Sequence, residues 1–158
     1  MPVEIERKFL LKNDSWKKNP TETHYDIVQA YLNKEGENTV RIRIAENNAF
    51  LTIKSRTKGI TRQEFQYKIP LEEAYELLKL SQTPIIEKIR YEIEYAGMKW
   101  EIDEFLGSNK GLYIAEIELE SENQLFEKPE WLGQEVSSDK RYYNSYLADR
   151  PFSEWEDS

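Results

Sequence analysis

The chain has 158 residues, which is enough for one domain with its own core. It contains no cysteine, and this excludes disulfide bonds, thiolate metal sites and a cysteine nucleophile. Its formal net charge of −8 argues against a general nucleic-acid binder, which would show a basic face. The N-terminus opens on charged residues and no apolar run is long enough to span a bilayer, so we expect a cytoplasmic protein without membrane or nucleic-acid partners.

Alternation of apolar and charged residues with a period of two dominates the chain and is typical of half-buried strands. At the N-terminus, for example, Val3, Ile5 and Phe9 fall on one face, whereas Glu4, Glu6 and Lys8 fall on the other. The same pattern predicts eight strands, at residues 3–10, 27–32, 39–44, 50–54, 62–69, 86–93, 99–105 and 113–120. Eight strands can close into a small barrel.

Few helices are expected. Apolar residues at helical spacing predict a helix over 71–80, preceded by Pro70, whose missing N–H costs little there. Short helices are predicted near 122–126 and 141–147, and turns at 96–97 and 107–109. Residues 1–150 are expected to form a single domain, followed by an acidic C-terminal tail at 151–158.

Two arrangements of the charged faces are open. An ordinary antiparallel sheet would turn them to water, whereas a barrel with an inward charged face would need helices or a partner to cover its apolar exterior. Two strands carry basic pairs at i, i+2, namely Arg41/Arg43 and Lys88/Arg90, and two others carry pairs of glutamates. This joint pattern favours the inward arrangement.

The ordered set of charged motifs resembles one protein family, the CYTH domain or triphosphate tunnel metalloenzymes. The motifs are ExExK at 4–8, RxR at 41–43, the strand ending in Lys54, TRQE at 61–64, EKxRY at 87–91, WEID at 100–103, ExE at 116–118, WLGQEV at 131–136 and DKRY at 139–142 with Asn144. The resemblance covers residues 3 to about 148. It implies a mainly β fold, a closed eight-stranded antiparallel β-barrel with a few flanking helices, around a triphosphate-binding tunnel.

The resemblance also implies the chemistry of the tunnel. Fixed cations suit a triphosphate, because arginine donates bidentately to phosphate oxygens and lysine is a compact point charge. Alternate residues on one strand lie about 7 Å apart and can reach successive phosphoryl groups. The expected substrate-binding residues are Lys8, Arg41, Arg43, Lys54, Arg62, Lys88, Arg90 and Lys140.

Carboxylates form the other half of the expected site, because their hard oxygens suit Mg²⁺ or Mn²⁺, of which two ions are expected. The expected ligands are Glu4, Glu6, Glu116 and Glu118, with Asp103 and Glu64 as further members or supports. Direct catalytic roles are expected for Glu4, Glu6, Lys8, Lys88 and Tyr31. Without a metal, such a group of acids would be repulsive and some pKa values would rise.

The expected reaction is metal-dependent hydrolysis of the terminal phosphoanhydride of a small triphosphate, with inorganic tripolyphosphate as first choice. Hydrolysis of a nucleoside or thiamine triphosphate, adenylyl cyclase activity, and non-catalytic binding of polyphosphate or nucleotide stay open as alternatives. A homodimer is common among such barrels and stays open as well.

Overall fold

A computed structural model describes residues 3–19, 21–33, 38–56, 58–81 and 83–155. The described strands are β1 (Val3–Leu11), β2 (Thr21–Asn33), β3 (Thr39–Ala45), β4 (Asn48–Lys54), β5 (Thr61–Ile69), β6 (Ile86–Tyr95), β7 (Met98–Phe105), β8 (Tyr113–Glu118) and β9 (Leu132–Glu135). The described α-helices are α1 (Leu71–Leu78) and α2 (Asn144–Asp149), and 3-10 turns lie at Ser15–Lys18, Gly107–Asn109, Lys140–Tyr142 and Phe152–Glu154.

The strands form a closed antiparallel barrel in the order β5-β4-β3-β2-β6-β7-β8-β1, and β1 pairs back to β5. The predicted eight-stranded barrel is confirmed. One edge of β1 is divided between two partners: Val3 to Ile5 pair with β5, and Phe9 to Leu11 pair with β9. The sequence did not predict β9, because four residues containing Gly133 carry little alternation.

Charged side chains fill much of the barrel interior, and apolar side chains cover its outside. On β1, for instance, Phe9 is buried in the main apolar cluster, while Lys8 ion-pairs with Glu116 of the neighbouring strand. The inward arrangement of the charged faces is therefore the one that the chain adopts. It reverses the usual distribution in small barrels and requires cover for the exterior.

Two apolar clusters supply that cover. On one side, Ala74 and Leu78 of α1 pack on Ala30, Ile42 and Ile44 of the barrel wall. On the other side, Trp16 and Trp131 from segments outside the barrel pack on the outer face, whose members include Phe9, Ile93, Trp100, Ile102, Ala115 and Ile117. Trp100 is fully buried at the centre of the second cluster, in edge-to-face contact with Trp131 at 5.6 Å.

A third apolar cluster is associated with α2 and joins this helix to the barrel. It consists of Leu147 and Ala148 of α2 together with Tyr31, Ile86, Phe105, Leu112 and Ile114. Phe152 and Trp155 pack against the same cluster, and the Phe152 backbone N–H donates to Asn109 Oδ1 at 2.8 Å.

Several local predictions require correction. Helix α1 ends at Leu78 and not at residue 80, because the N–H groups of Lys79 and Leu80 bond three residues back and tighten the last turn. No helix forms at 122–126, where a turn is followed by chain without regular secondary structure. The helix predicted at 141–147 is a 3-10 turn followed by α2, which begins at Asn144.

The C-terminal segment also differs from the expected tail. Residues 151–155 are packed on the body of the protein, with Trp155 in contact with the rings of Tyr142 and Phe152. Residues 156–158 of the predicted tail lie outside the described residues. In the part of the chain that the structure describes, no helix has both the length and the apolar character needed to cross a bilayer.

Replacing Trp100 should destabilise the whole fold, because its ring fills the centre of the outer cluster. We expect Trp100→Ala to lower the free energy of unfolding by about 3–5 kcal/mol, measured by denaturant titration. Tyr75→Ala is the control, since Tyr75 lies on α1 with 54% of its surface exposed. An effect of Trp100→Ala no larger than that of the control would contradict the apolar exterior.

Candidate active site

The barrel encloses a cavity of about 320 Å³. Its described lining is almost entirely polar and comes from all eight barrel strands, a short loop before β5, the segment that leads into α2 and the first residues of that helix. The lining residues are Glu4, Glu6, Lys8, Tyr31, Thr39, Arg41, Arg43, Lys54, Gly59, Ile60, Arg62, Glu64, Gln66, Arg90, Glu101, Glu116, Glu118, Ser137, Tyr143, Asn144 and Ser145.

Two arginines on β3 give the cavity a cationic wall. Arg41 is 5% exposed; its Nη2 donates a long 3.4 Å hydrogen bond to Thr52, and its Nε has no partner among the described residues. Arg43 donates through Nε to Gln29 Oε1 at 2.8 Å. Neither arginine forms a salt bridge with a carboxylate in the described chain. Burial, followed by repulsion from Arg41 and Arg90, lowers the pKa of Arg43 to about 9. This wall is suited to an anion.

Glu4 lies between two cations and a second acid. Lys54 Nζ and Arg62 Nε are 3.4 and 3.3 Å from its carboxylate. Burial alone would raise the pKa of Glu4. The charge of Lys54, a hydrogen bond with Glu64 and the charge of Arg62 together outweigh burial, so the pKa of Glu4 falls well below its usual range. Burial and the same hydrogen bond raise the pKa of Glu64 to about 7. The two carboxyl groups therefore share a proton near neutral pH.

Lys8 bridges two further acids. Its Nζ is 2.8 Å from Glu116 Oε1 and 3.1 Å from Glu6 Oε1. Burial opposes its charge, but Glu116 and Glu6 outweigh burial and raise the pKa of Lys8 above that of a free lysine. Lys8 is thus held in its cationic form at neutral pH.

Glu101 and Glu118 extend the acidic side of the cavity. Strand register places Glu118 opposite Glu6, and Glu101 opposite Glu116. Burial and the neighbouring carboxylates, which include Glu116 next to Glu101 and Glu4 next to Glu118, raise the pKa values of both groups. Glu101 was not among the site residues predicted from the sequence, although it lies two residues before Asp103 on the same strand face.

The donor set fits a hard divalent cation, because it consists of carboxylate oxygens whose mutual repulsion a cation would relieve. In the described chain, however, no three acidic or histidine side chains already converge as a metal cluster. The reason is that lysine and arginine hold them: Lys8 holds Glu6 and Glu116, and Lys54 with Arg62 holds Glu4. A metal ion would compete with these cations for the carboxylates.

Asp103 and Lys88 form the wall next to the cavity. Asp103 accepts two hydrogen bonds from Arg90 and one from Lys88, each 2.8 Å long, and its side chain is 1% exposed. Burial opposes the charge of Asp103, but Arg90 and Lys88 lower its pKa well below the usual range. To ligate a metal, Asp103 would have to release one of these cations.

Most of the residues predicted from the sequence are brought together around the cavity. Those that line it are Glu4, Glu6, Lys8, Tyr31, Arg41, Arg43, Lys54, Arg62, Glu64, Arg90, Glu116 and Glu118. Lys88 and Asp103 lie in the wall and do not line it, and Lys140 is exposed in the 3-10 turn after β9. Gln29 was not among the site residues predicted from the sequence; its side chain is fully buried between Arg43 and Asn144.

A closed barrel with cations and carboxylates facing one another across its interior defines a tunnel-type anion-binding protein. A family model for the CYTH domain matches residues 2–146, and the chain therefore belongs to the CYTH domain family. The predicted resemblance is confirmed.

Two curated relatives support this assignment. An inorganic triphosphatase of Acetivibrio thermocellus is 43% identical over 158 residues, which are 99% of this chain and 100% of that protein. An inorganic triphosphatase of Nitrosomonas europaea is 35% identical over 151 residues, 92% of this chain and 97% of that protein. The solved structure of an inorganic triphosphatase superposes with a TM-score of 0.66 at 32% identity, covering 94% of this chain and 95% of the other.

Lys88 should make stability depend on pH. Burial, with repulsion from Arg90 and Arg43, outweighs Asp103 and Glu116 and lowers the pKa of Lys88 to about 7. The pKa of a lysine in the unfolded chain is about 10.4. At pH values between the folded and the unfolded pKa, residue 88 binds a proton in the unfolded chain but not in the native protein. Stability contributed by this residue therefore rises with pH across that window.

We expect the difference in unfolding free energy, wild type minus Lys88→Met, to increase as the pH rises from neutral toward 10. Denaturant titrations at several pH values would measure it. Lys79→Met, at the exposed residue that follows α1, controls for the loss of a surface charge. A difference that falls with rising pH would mean that Asp103 dominates over burial.

Proposed function

We propose that this protein hydrolyses the terminal phosphoanhydride of inorganic triphosphate with the help of Mg²⁺ or Mn²⁺. The observation that carries the proposal is the sorting of charges within one cavity, with two arginines that have no described carboxylate partner on one wall and carboxylates on another. The relatives described as inorganic triphosphatases, at 43% and 35% identity over nearly the whole chain, support the same substrate.

In this proposal the cations of the cavity bind the phosphate chain. Arg41 and Arg43 have no described carboxylate partner and are available to the substrate directly. Lys8, Lys54 and Arg62 are paired with glutamates in the structure and exchange these partners for phosphate oxygens when the substrate enters. Arg90 stays on Asp103, which fixes its orientation at the cavity wall.

The same exchange releases the carboxylates for a divalent cation. Glu4, Glu6, Glu116 and Glu118 would hold it, with Glu64 and Glu101 as neighbours that add negative charge. A bound divalent cation supplies neutralisation of the phosphate charge and Lewis-acid activation of water. We expect two such ions, because the carboxylates are spread over four strands.

The reaction itself is an in-line displacement at the terminal phosphorus. Water forms the new P–O bond, the bond to the bridging oxygen breaks, and the products are orthophosphate and pyrophosphate. Fixed guanidinium and ammonium groups stabilise the charge that develops on the equatorial and leaving oxygens, in a site already organised before the reaction. The reaction needs no covalent nucleophile. This fits the absence of cysteine and the presence of a single histidine, His24 of β2, which is not among the described lining residues.

The cavity favours an inorganic substrate over a nucleotide. Tyr31 and Tyr143 are the aromatic side chains among its described lining residues, and the rest of the lining is dominated by charged groups. A nucleoside would need a stacking surface beyond the phosphates, and the described lining offers no apolar platform for one. The alternative substrates, ATP and thiamine triphosphate, are therefore expected to react more slowly.

The substrate panel tests this proposal directly. Phosphate release from tripolyphosphate, ATP and thiamine triphosphate is measured with and without Mg²⁺ or Mn²⁺. We expect tripolyphosphate to be the best substrate and activity to require the metal. Formation of cyclic AMP from ATP without phosphate release, or binding of tripolyphosphate without turnover, would favour the alternative functions.

Removing two carboxylates tests the metal assignment. Glu4→Gln combined with Glu6→Gln keeps the side-chain volumes but removes two hard anionic ligands, so we expect nearly complete loss of metal-dependent activity. Metal affinity should fall in parallel, as measured by calorimetric titration with Mn²⁺. The matched control is Glu72→Gln combined with Glu73→Gln on the exposed face of α1. Activity retained by the first double variant would refute these ligands.

A further inference from the structure

The segment that leads into α2 brings an amide to the cavity. Asn144, the first residue of α2, lines the cavity between Tyr143 and Ser145. Its side-chain Oδ1 accepts from Gln29 Nε2 at 2.9 Å and from Lys88 Nζ at 3.0 Å. The amide therefore joins the C-terminal helix to both β2 and β6.

The chemistry of the partners fixes which way this amide faces. Arg43 can only donate, so Gln29 must accept with Oε1 and donate with Nε2. Gln29 Nε2 therefore requires the oxygen of Asn144, and Lys88 in its protonated form donates to the same oxygen. The chain of hydrogen bonds is thus directional, running from Arg43 through Gln29 to Asn144, and it excludes the flipped amide.

The nitrogen of the same amide is left for the cavity. Gln29 and Lys88 do not line the cavity, whereas Asn144 does, so the oxygen is directed into the wall and Nδ2 lies on the opposite side of the amide. No described side chain or carbonyl accepts a hydrogen bond from Nδ2. Arg43 and Arg41, the arginines without a described carboxylate partner, line the same cavity.

We propose that Asn144 is a substrate-binding residue, whose Nδ2 donates a hydrogen bond to a non-bridging oxygen of a linear phosphate chain; this assignment rests on the proposed function of the cavity. A neutral donor suits this position. It adds a directed bond to the anion without adding to the repulsion between Arg41, Arg43 and Arg90. The hydrogen bond from Lys88 holds the Asn144 amide in place. Through this amide, the buried Lys88 affects substrate binding although it does not line the cavity.

The substitution Asn144→Asp separates this role from a purely structural one. Aspartate has the same shape and still accepts from Gln29 and Lys88, but it has no donor and brings a negative charge to the cavity. A hydrogen bond to a charged group is worth about 1.5–3 kcal/mol, which corresponds to roughly ten- to a hundredfold in affinity. We expect Asn144→Asp to weaken tripolyphosphate binding by at least about tenfold and to raise KM in parallel.

Two further variants complete the experiment. Asn144→Ala removes donor and acceptor together and should also weaken binding, while Asn47→Asp adds the same charge in the exposed turn between β3 and β4 and should leave binding unchanged. Thermal unfolding of each variant without ligand checks that it is folded. Because Asn144→Asp gains an ion pair with Lys88, it should fold even if Asn144→Ala does not.

Binding is measured by calorimetric titration with tripolyphosphate, separately from turnover. If Asn144→Asp binds like the wild type while Asn144→Ala is weakened, Asn144 only supports Lys88 and Gln29, and the inference is overturned while hydrolysis stands. If the wild type binds tripolyphosphate without hydrolysing it and Asn144→Asp loses affinity, the inference holds and the proposed activity fails. A wild type that does not bind tripolyphosphate overturns both.

Discussion

The structure depends on compensating the charges of the many ionised side chains that it holds inside a barrel. An isolated buried ion is so costly that it would change protonation state or unfold the site, and pairing with hydrogen bonds is the usual remedy. Here the remedy extends across strands: Lys8 joins β1 to β8, Lys54 joins β4 to β1, and Arg90 joins β6 to β7. Each of these ion pairs compensates charge inside the barrel and joins neighbouring strands.

The inward charges also determine what must happen outside. A strand with charges on one face has its apolar residues on the other, and that face has to be covered by something other than a second sheet. The chain covers it with α1 on one side and with Trp16 and Trp131, from irregular segments, on the other. The hydrophobic core of this protein is therefore a shell around the barrel, together with the cluster that anchors α2.

Compensation is incomplete at the arginines of β3, and this asymmetry is the basis of the proposed function. The acidic side of the cavity has its own lysines, and the Glu4–Glu64 pair lowers its charge by sharing a proton. Among the described residues, Arg41 and Arg43 have only neutral hydrogen-bond partners, Thr52 and Gln29. An anion with several charges would neutralise these arginines and would also take lysines away from their carboxylate partners. The freed carboxylates could then bind a metal ion, which would couple substrate binding to metal binding.

The sequence by itself determined the strands and the face to which each charged residue belongs, because period-two alternation follows directly from the geometry of a strand. It therefore predicted the eight barrel strands and the sets of residues that share one interior face, such as Glu4, Glu6 and Lys8. It did not predict β9, and it placed a helix at 122–126, because short segments without periodicity are set by contacts far away in the chain.

Only the tertiary structure decided which of the charged residues reach the cavity and which remain in its wall. Lys88 and Arg90 look equivalent in the sequence, yet Lys88 is enclosed by Asp103 and Asn144 while Arg90 lines the cavity. Strand register and the position of α2 make that distinction, and neither can be read from alternation. Asn144 acquires its place for the same reason, since its partners Gln29 and Lys88 are 115 and 56 residues away and meet it only when the barrel closes around them.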